Sequence, residues 1–233
     1  MMRKPRMTPK SKKLLLFDID CTLVNTGGGG ISAIQEAVRI VFGNDGPPLD
    51  LAGSTDSGIV RGLFEHFGRE YDAKVEEDFY QAYLPMMEAN LRDESFGGRV
   101  LDGVPGLLKE LEDAGHVLGL LTGNIERGGW AKVSHYGLAK YFQIGSWGDD
   151  HWDRNELGPI AIERANTHHG ENFISDDVIV IGDTCKDVAC AHAINAPCLA
   201  VATGSVSAKA LAQCHADLVV PDLTDSRVLE FLI

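Results

Sequence analysis

Asp18 and Asp20 stand two residues apart at the end of the apolar run Leu14-Leu15-Leu16-Phe17. Successive residues of a strand project to opposite faces, so in extended backbone both carboxylates point the same way while Ile19 between them returns to the core. Two like charges that close need a counter-charge, most simply a divalent cation held by oxygen ligands. For an isolated Asp-x-Asp the alternative is a strand that ends in a solvated acidic turn. The rest of the chain separates the two readings, because two further apolar runs also end in polar groups. Residues 116–121 lead into Thr122-Gly123-Asn124, and residues 178–181 lead into Gly182-Asp183-Thr184-Cys185-Lys186-Asp187.

The elements that must position these groups follow from hydrophobic rhythm. An apolar run without a polar break reads as a strand buried on both faces, as in a parallel sheet. From Val104 onward helices and strands alternate. Helices are expected near 107–111, 129–142, 159–167, 187–194 and 207–214, and strands at 116–121, Ile144, 178–181, 198–202 and 218–220, before a short terminal helix. Such alternation predicts an α/β fold, a doubly wound parallel sheet of Rossmann-like type. In open sheets of this kind the ligand crevice lies outside the carboxyl ends of the strands, so the three polar endings converge on one site.

Residues 31–94 break this rhythm and read as helical. Ile31, Ile34, Val38 and Val41 form a stripe that ends at Gly43; Ser54-Thr55-Asp56 offers cap residues for a second helix; a third spans about 75–92 and contains Pro85, which should kink it. The segment Gly27-Gly28-Gly29-Gly30 lacks the Lys-Ser/Thr that follows a P-loop cradle, and reads as a flexible hinge.

Asp18-Ile19-Asp20-Cys21-Thr22, Thr122, Arg154 and Gly182-Asp183-Thr184-x-x-Asp187 resemble, in order and over residues 13–190, the four motifs of the haloacid dehalogenase superfamily. The resemblance implies a Rossmann-like core, 13–26 with 97–233, carrying an all-helical cap, 27–96, behind a basic tail, 1–12. It implies that Asp18 attacks phosphorus to form an aspartyl-phosphate and that Asp20 serves first as general acid and then as base. Mg²⁺ would be held by Asp18, Asp183 and Asp20, the last through its backbone carbonyl, and Asp187 would bind the ion through water or orient Lys186 or Arg154. Asp187 also reads simply as a first-turn acid favoured by the helix dipole. Thr122, with the amides of Gly123 and Asn124, would bind phosphoryl oxygens, or Thr122 would only cap the next helix. Arg154 takes the place where the family usually has Lys before Pro; here Arg154-Asn155-Glu156-Leu157-Gly158-Pro159 stands instead. Thr55 and Asp56 fall where caps of this type send a loop to the substrate, although phosphomutase caps often have Arg there.

An acid at Asp20 marks the phosphatases and phosphomutases of the superfamily. The expectation is therefore a magnesium-dependent phosphatase of a small phosphorylated metabolite, phosphoglycolate phosphatase-like, the alternative being a β-phosphoglucomutase-like phosphoryl transferase. The chain is expected to be a monomer or homodimer.

Composition narrows the partners. The net charge of the 233 residues is −13, yet residues 1–13 hold six of the 21 Lys and Arg and no acid, leaving 15 basic against 34 acidic residues in the body. So acidic a body argues against nucleic acid. No apolar run is long enough to span a membrane, and the basic head lacks the apolar region of a secretory signal. Cys21, Cys185, Cys190, Cys198 and Cys214 show no paired spacing, which reads as free thiols in a reducing, cytoplasmic setting; Cys21 and Cys185 would then make activity sensitive to thiol oxidation.

Overall fold

In the computed structural model, residues 12–233 are described. The basic head, except Lys12 and Lys13, lies outside the described residues. β1 (Leu14–Phe17) is buried along its whole length, as an apolar strand with covered faces must be. It pairs in parallel with β4 (Val117–Leu121) on one side and β6 (Val178–Gly182) on the other. β5 (Ile144–Ser146) extends the sheet beyond β4, and β7 (Cys198–Val201) and β8 (Leu218–Val220) extend it beyond β6, giving the order β5-β4-β1-β6-β7-β8 with every pair parallel.

Alternation along β1 sorts its side chains between two cores. Leu15, Phe17 and Ile19 join the cluster with α4 (Val104–Asp113), α5 (Glu126–His135) and α9 (Arg227–Leu232). Leu14 and Leu16 join the opposite cluster with α6 (Leu157–His169), α7 (Cys185–Ala193) and α8 (Ala208–Gln213). Helices on both faces make the sheet doubly wound, as the sequence rhythm implied. The helix expected over 129–142 starts earlier and stops at His135, because Gly137 turns the chain with φ of +71° before a 3-10 turn at Ala139–Tyr141.

The chain leaves this sheet after β2 (Val24–Asn25) and returns through β3 (Arg99–Val100), which pair antiparallel. Strands this short leave no periodic signal in the sequence, so the two-stranded neck is visible only in the fold. Between its strands lie α1 (Gly29–Phe42), α2 (Asp56–His66) and α3 (Ala73–Arg92), with an apolar cluster of their own built on Val38, Leu63, Phe79 and Met87. α3 continues through Pro85. The four glycines divide into two pairs. Gly27 and Gly28 take positive φ, and a Cβ at Gly27 would strike the Phe96 carbonyl, while Gly29 and Gly30 form the buried first turn of α1. The segment is thus a tight turn into a helix.

Candidate active site

The β-ladder register decides which side chains meet. Phe17 lies opposite both Leu120 and Ile181, so the residues that follow emerge together at the carboxyl edge. Asp18 is 5% exposed, and its amide donates to the Ile181 carbonyl at 2.9 Å. Arg154 reaches it from the 3-10 turn Arg154–Glu156, which Asp153 caps by accepting from the Asn155 amide at 3.0 Å. The Arg154 guanidinium, buried among these groups, donates from Nη2 to Asp18 at 3.1 Å and to Asp187 at 2.5 Å, and from Nη1 to the Gly53 carbonyl at 3.1 Å. Asp187 is itself anchored. Its second oxygen accepts from the Thr184 amide at 3.0 Å and hydroxyl at 2.7 Å, closing a capping box at the start of α7.

Asp183 completes the group. Carboxylate oxygens of Asp18, Asp183 and Asp187 lie within 4.8 Å of one another. Among the described residues Asp183 accepts no hydrogen bond and forms no ion pair. Three buried carboxylates thus face one guanidinium. Burial first, then the neighbouring acids, push the Asp183 carboxyl up to about 9, and burial lifts Asp18 to about 7 even though Arg154 pulls it down. The donor set, all oxygen and short of two positive charges when ionised, fits a hard divalent cation such as Mg²⁺.

Asp20 belongs to a separate cluster. Both of its carboxylate oxygens accept from Lys132 Nζ, at 2.8 and 2.7 Å, and one accepts from Asn124 Nδ2 at 2.8 Å. Lys132 also donates to Asn124 Oδ1 at 2.6 Å, and Asn124 Nδ2 donates to the buried Thr122 hydroxyl at 2.8 Å. Burial works against the Lys132 ammonium, but Asp20, Tyr83 and Asp56 together hold its pKa above the ordinary lysine value. Sequence reasoning missed Lys132. Its signal was a lysine on the buried stripe of α5, beside Gly128, Gly129 and Val133, where only a partnered charge can sit.

The two residues expected from the cap take different positions. Asp56 is buried at the head of α2, where its carboxylate accepts from the Ile125 amide at 2.9 Å and its amide donates to the Gly123 carbonyl at 2.7 Å. Burial raises its carboxyl to about 6. Thr55 caps α2, accepting from the Gly58 amide at 3.0 Å and donating to the Trp152 carbonyl at 2.5 Å. Its side chain fastens the helices to the core and does not line the central cavity. At Gly123 the approach is so close that a Cβ would overlap the Ser54 carbonyl. That cavity, of about 830 Å³, is bordered by Asp18, Asp20, Thr122, Arg154 and Asp183 at the sheet edge and by Asp56, α1 and the 45–54 loop opposite.

The cysteines correct the sequence expectation of free thiols. Cys185 and Cys214 form a disulfide, with Cα atoms 5.6 Å apart, that joins the start of α7 to the end of α8. Their separation of 29 residues carries no signature, since only the crossover between the two helices brings them together. The bridge removes the cysteine pattern as a ground for a reducing compartment, and removes Cys185 as an oxidisable thiol. Cys21 stays free, but burial and then Asp183 and Asp20 push its thiol up to about 12, so it is a poor thiolate.

The sequence matches the haloacid dehalogenase-like hydrolase family over residues 15–201. The chain belongs to that family. The hydrolase is 30% identical to the N-acetylmuramic acid 6-phosphate phosphatase of Pseudomonas aeruginosa over 76% of its own length and 75% of the relative's. It is 25% identical to phosphoglycolate phosphatase 1 of the same organism, over 95% of its length and 81% of the relative's. Its fold superposes on a hydrolase structure from Pseudomonas syringae with a TM-score of 0.73 at 19% identity, covering 95% of this chain and 98% of the other. The family placement and Rossmann-like core expected from the four motifs therefore hold, and the named relatives are phosphatases. Among the described residues, no helix of the hydrolase is long and apolar enough to cross a membrane.

Proposed function

We propose that the hydrolase is a magnesium-dependent phosphatase that cleaves a small phosphate monoester through an aspartyl-phosphate on Asp18. The observation that carries this reading is the split of the site into two charge clusters. Arg154 is shared between Asp18 and Asp187 on one side, and Asp20 is held by Lys132 and Asn124 on the other. A carboxylate is a weak nucleophile, and attack on phosphorus needs in-line placement and relief of charge repulsion. Arg154 fixes one Asp18 oxygen and leaves the other for bond formation.

In the first step an Asp18 oxygen forms a bond to phosphorus, the bond from phosphorus to the ester oxygen breaks, and Asp20 hands a proton to the departing alkoxide. In the second, Asp20 takes a proton from water, whose oxygen attacks the aspartyl-phosphate and frees inorganic phosphate and Asp18. The Thr122 hydroxyl and the amides of Gly123 and Asn124 bind phosphoryl oxygens. Asp18, Asp183 and the backbone carbonyl of Asp20 hold Mg²⁺, with Asp187 orienting Arg154; the ion supplies positive charge against the phosphoryl group. Residues 27–96 form the cap above this site.

Phosphate release from a panel of small phosphate esters, with and without Mg²⁺, tests the reading. Wild type should release phosphate only with the ion, and Asp18→Asn should lower the rate by at least about 10³-fold while remaining folded. Absence of release from any ester by folded wild-type protein would refute it.

A further inference from the structure

Resting on the phosphatase reading, we infer that the alcohol part of the substrate is uncharged and presents hydrocarbon to the cap, and carries neither a carboxylate nor a second phosphate. Among the described residues three cations border the cavity, Arg39, Lys132 and Arg154, and each already has acidic partners. Arg39 pairs with Glu36 at 2.9 Å and Asp45 at 2.6 Å. Lys132 pairs with Asp20, and Arg154 with Asp18 and Asp187. Lys186, just outside, is taken by Asp50 at 2.9 Å and the Ser54 hydroxyl at 2.6 Å. Against these stand six aspartates in the cavity wall: Asp18, Asp20, Asp45, Asp50, Asp56 and Asp183. A divalent ion would bring the group of Asp18, Asp183, Asp187 and Arg154 to neutrality, with no surplus positive charge. Among the described residues of the wall, no cation without an acidic partner is left for a second anion.

Between these charges the cap side of the wall also carries apolar side chains. Ile31 and Ile34 of α1, Leu49 and Leu51 of the loop, Ile59 of α2 and Tyr83 of α3 border the cavity there. Ile31 borders the cavity and is 49% exposed, an apolar side chain left open on that wall. The first turn of α1 has no side-chain cap, and its amides carry the partial positive charge of a helix start, about half a unit. A Cβ placed on Gly30 would lie 3.6 Å from Lys132 Nζ, whose charge is already shared with Asp20. A leaving group with its own charge would shed water without gaining a counter-charge, whereas hydrocarbon gains by leaving water. The volume, about 830 Å³, lies in the range of pockets that enclose a metabolite-sized ligand.

A matched pair of esters tests this: 2-hydroxyethyl phosphate and 2-phosphoglycolate are alike in size and differ in an alcohol against a carboxylate. The expected kcat/KM is higher for 2-hydroxyethyl phosphate by at least about tenfold, and higher still for butyl phosphate. In the same assay Gln35→Lys, an exposed residue of the cavity wall outside the reacting groups, should raise kcat/KM for 2-phosphoglycolate by about fivefold or more and leave 2-hydroxyethyl phosphate unchanged. Equal or faster turnover of 2-phosphoglycolate by wild type overturns the inference and leaves the phosphatase reading standing, as does a lysine variant that gains nothing. Failure to hydrolyse any ester of the wider panel removes both.

Discussion

Asp183→Asn should make the metal-free protein more stable while ending its response to Mg²⁺. Asp183 is 5% exposed, accepts no hydrogen bond among the described residues and faces Asp18 and Asp187 across a single guanidinium. Burial and these neighbours raise its carboxyl from 3.8 in an open chain to about 9 in the folded one. A raised carboxyl binds its proton more tightly when folded. The stability it contributes is complete below about pH 4 and is lost as pH rises toward the folded value. Over that window each proton held only by the folded state costs about 1.4 kcal/mol per pH unit. At pH 7 that is about 4 kcal/mol, which reorganisation of the site and entry of water reduce to about 2–4 kcal/mol. Asn keeps the neutral shape without the proton. Urea unfolding followed by tryptophan fluorescence, in EDTA from pH 5 to 8, should show wild-type stability falling with pH and the variant ahead by about 2–4 kcal/mol at pH 7. Its advantage should shrink toward pH 5. Saturating Mg²⁺, at about a hundred times its Kd, should add about 2.7 kcal/mol to wild type and nothing to the variant. A flat wild-type profile, or a variant less stable at pH 7, would refute the charge argument.

Lys132→Met should destabilise the fold by about 1–3 kcal/mol, less than a fully buried pair because the Asp20 side chain is 40% exposed; an unchanged urea midpoint would mean that the pair contributes nothing. The Cys185–Cys214 bridge leaves Cys21, Cys190 and Cys198 free, so denatured, unreduced protein should titrate three thiols, and reduction should remove about 2–4 kcal/mol of stability. Five titrating thiols before reduction would show that the bridge is not formed.

Much of the framework is written locally. Leu14 to Phe17 cannot be half-solvated, so the run must lie inside a sheet, and the same holds for 178–181. Once those strands are parallel, the residues that follow them share an edge. The sequence therefore places Asp18, Thr122 and Asp183 together, and the motif order adds Arg154 to them. The helices between the neck strands were equally visible, because Ile34 and Val38, Ile59 and Leu63, and Phe79 and Tyr83 each fall four residues apart.

Other features needed the folded chain. Hydrophobic period says which face of a helix is buried and is silent on what covers it. Lys132 finds Asp20 across 112 residues of sequence, and Thr55 finds the Trp152 carbonyl across 97. Cys185 meets Cys214 because α7 and α8 pack together, and Val24 meets Val100 because the chain re-enters the core beside its exit. Composition and periodicity determined the sheet, its helices and the edge at which the acids gather, since those depend on short-range alternation and burial. The pairing of charges across that edge was decided by tertiary structure alone, since an ion pair depends on distance in space, which residue order does not encode.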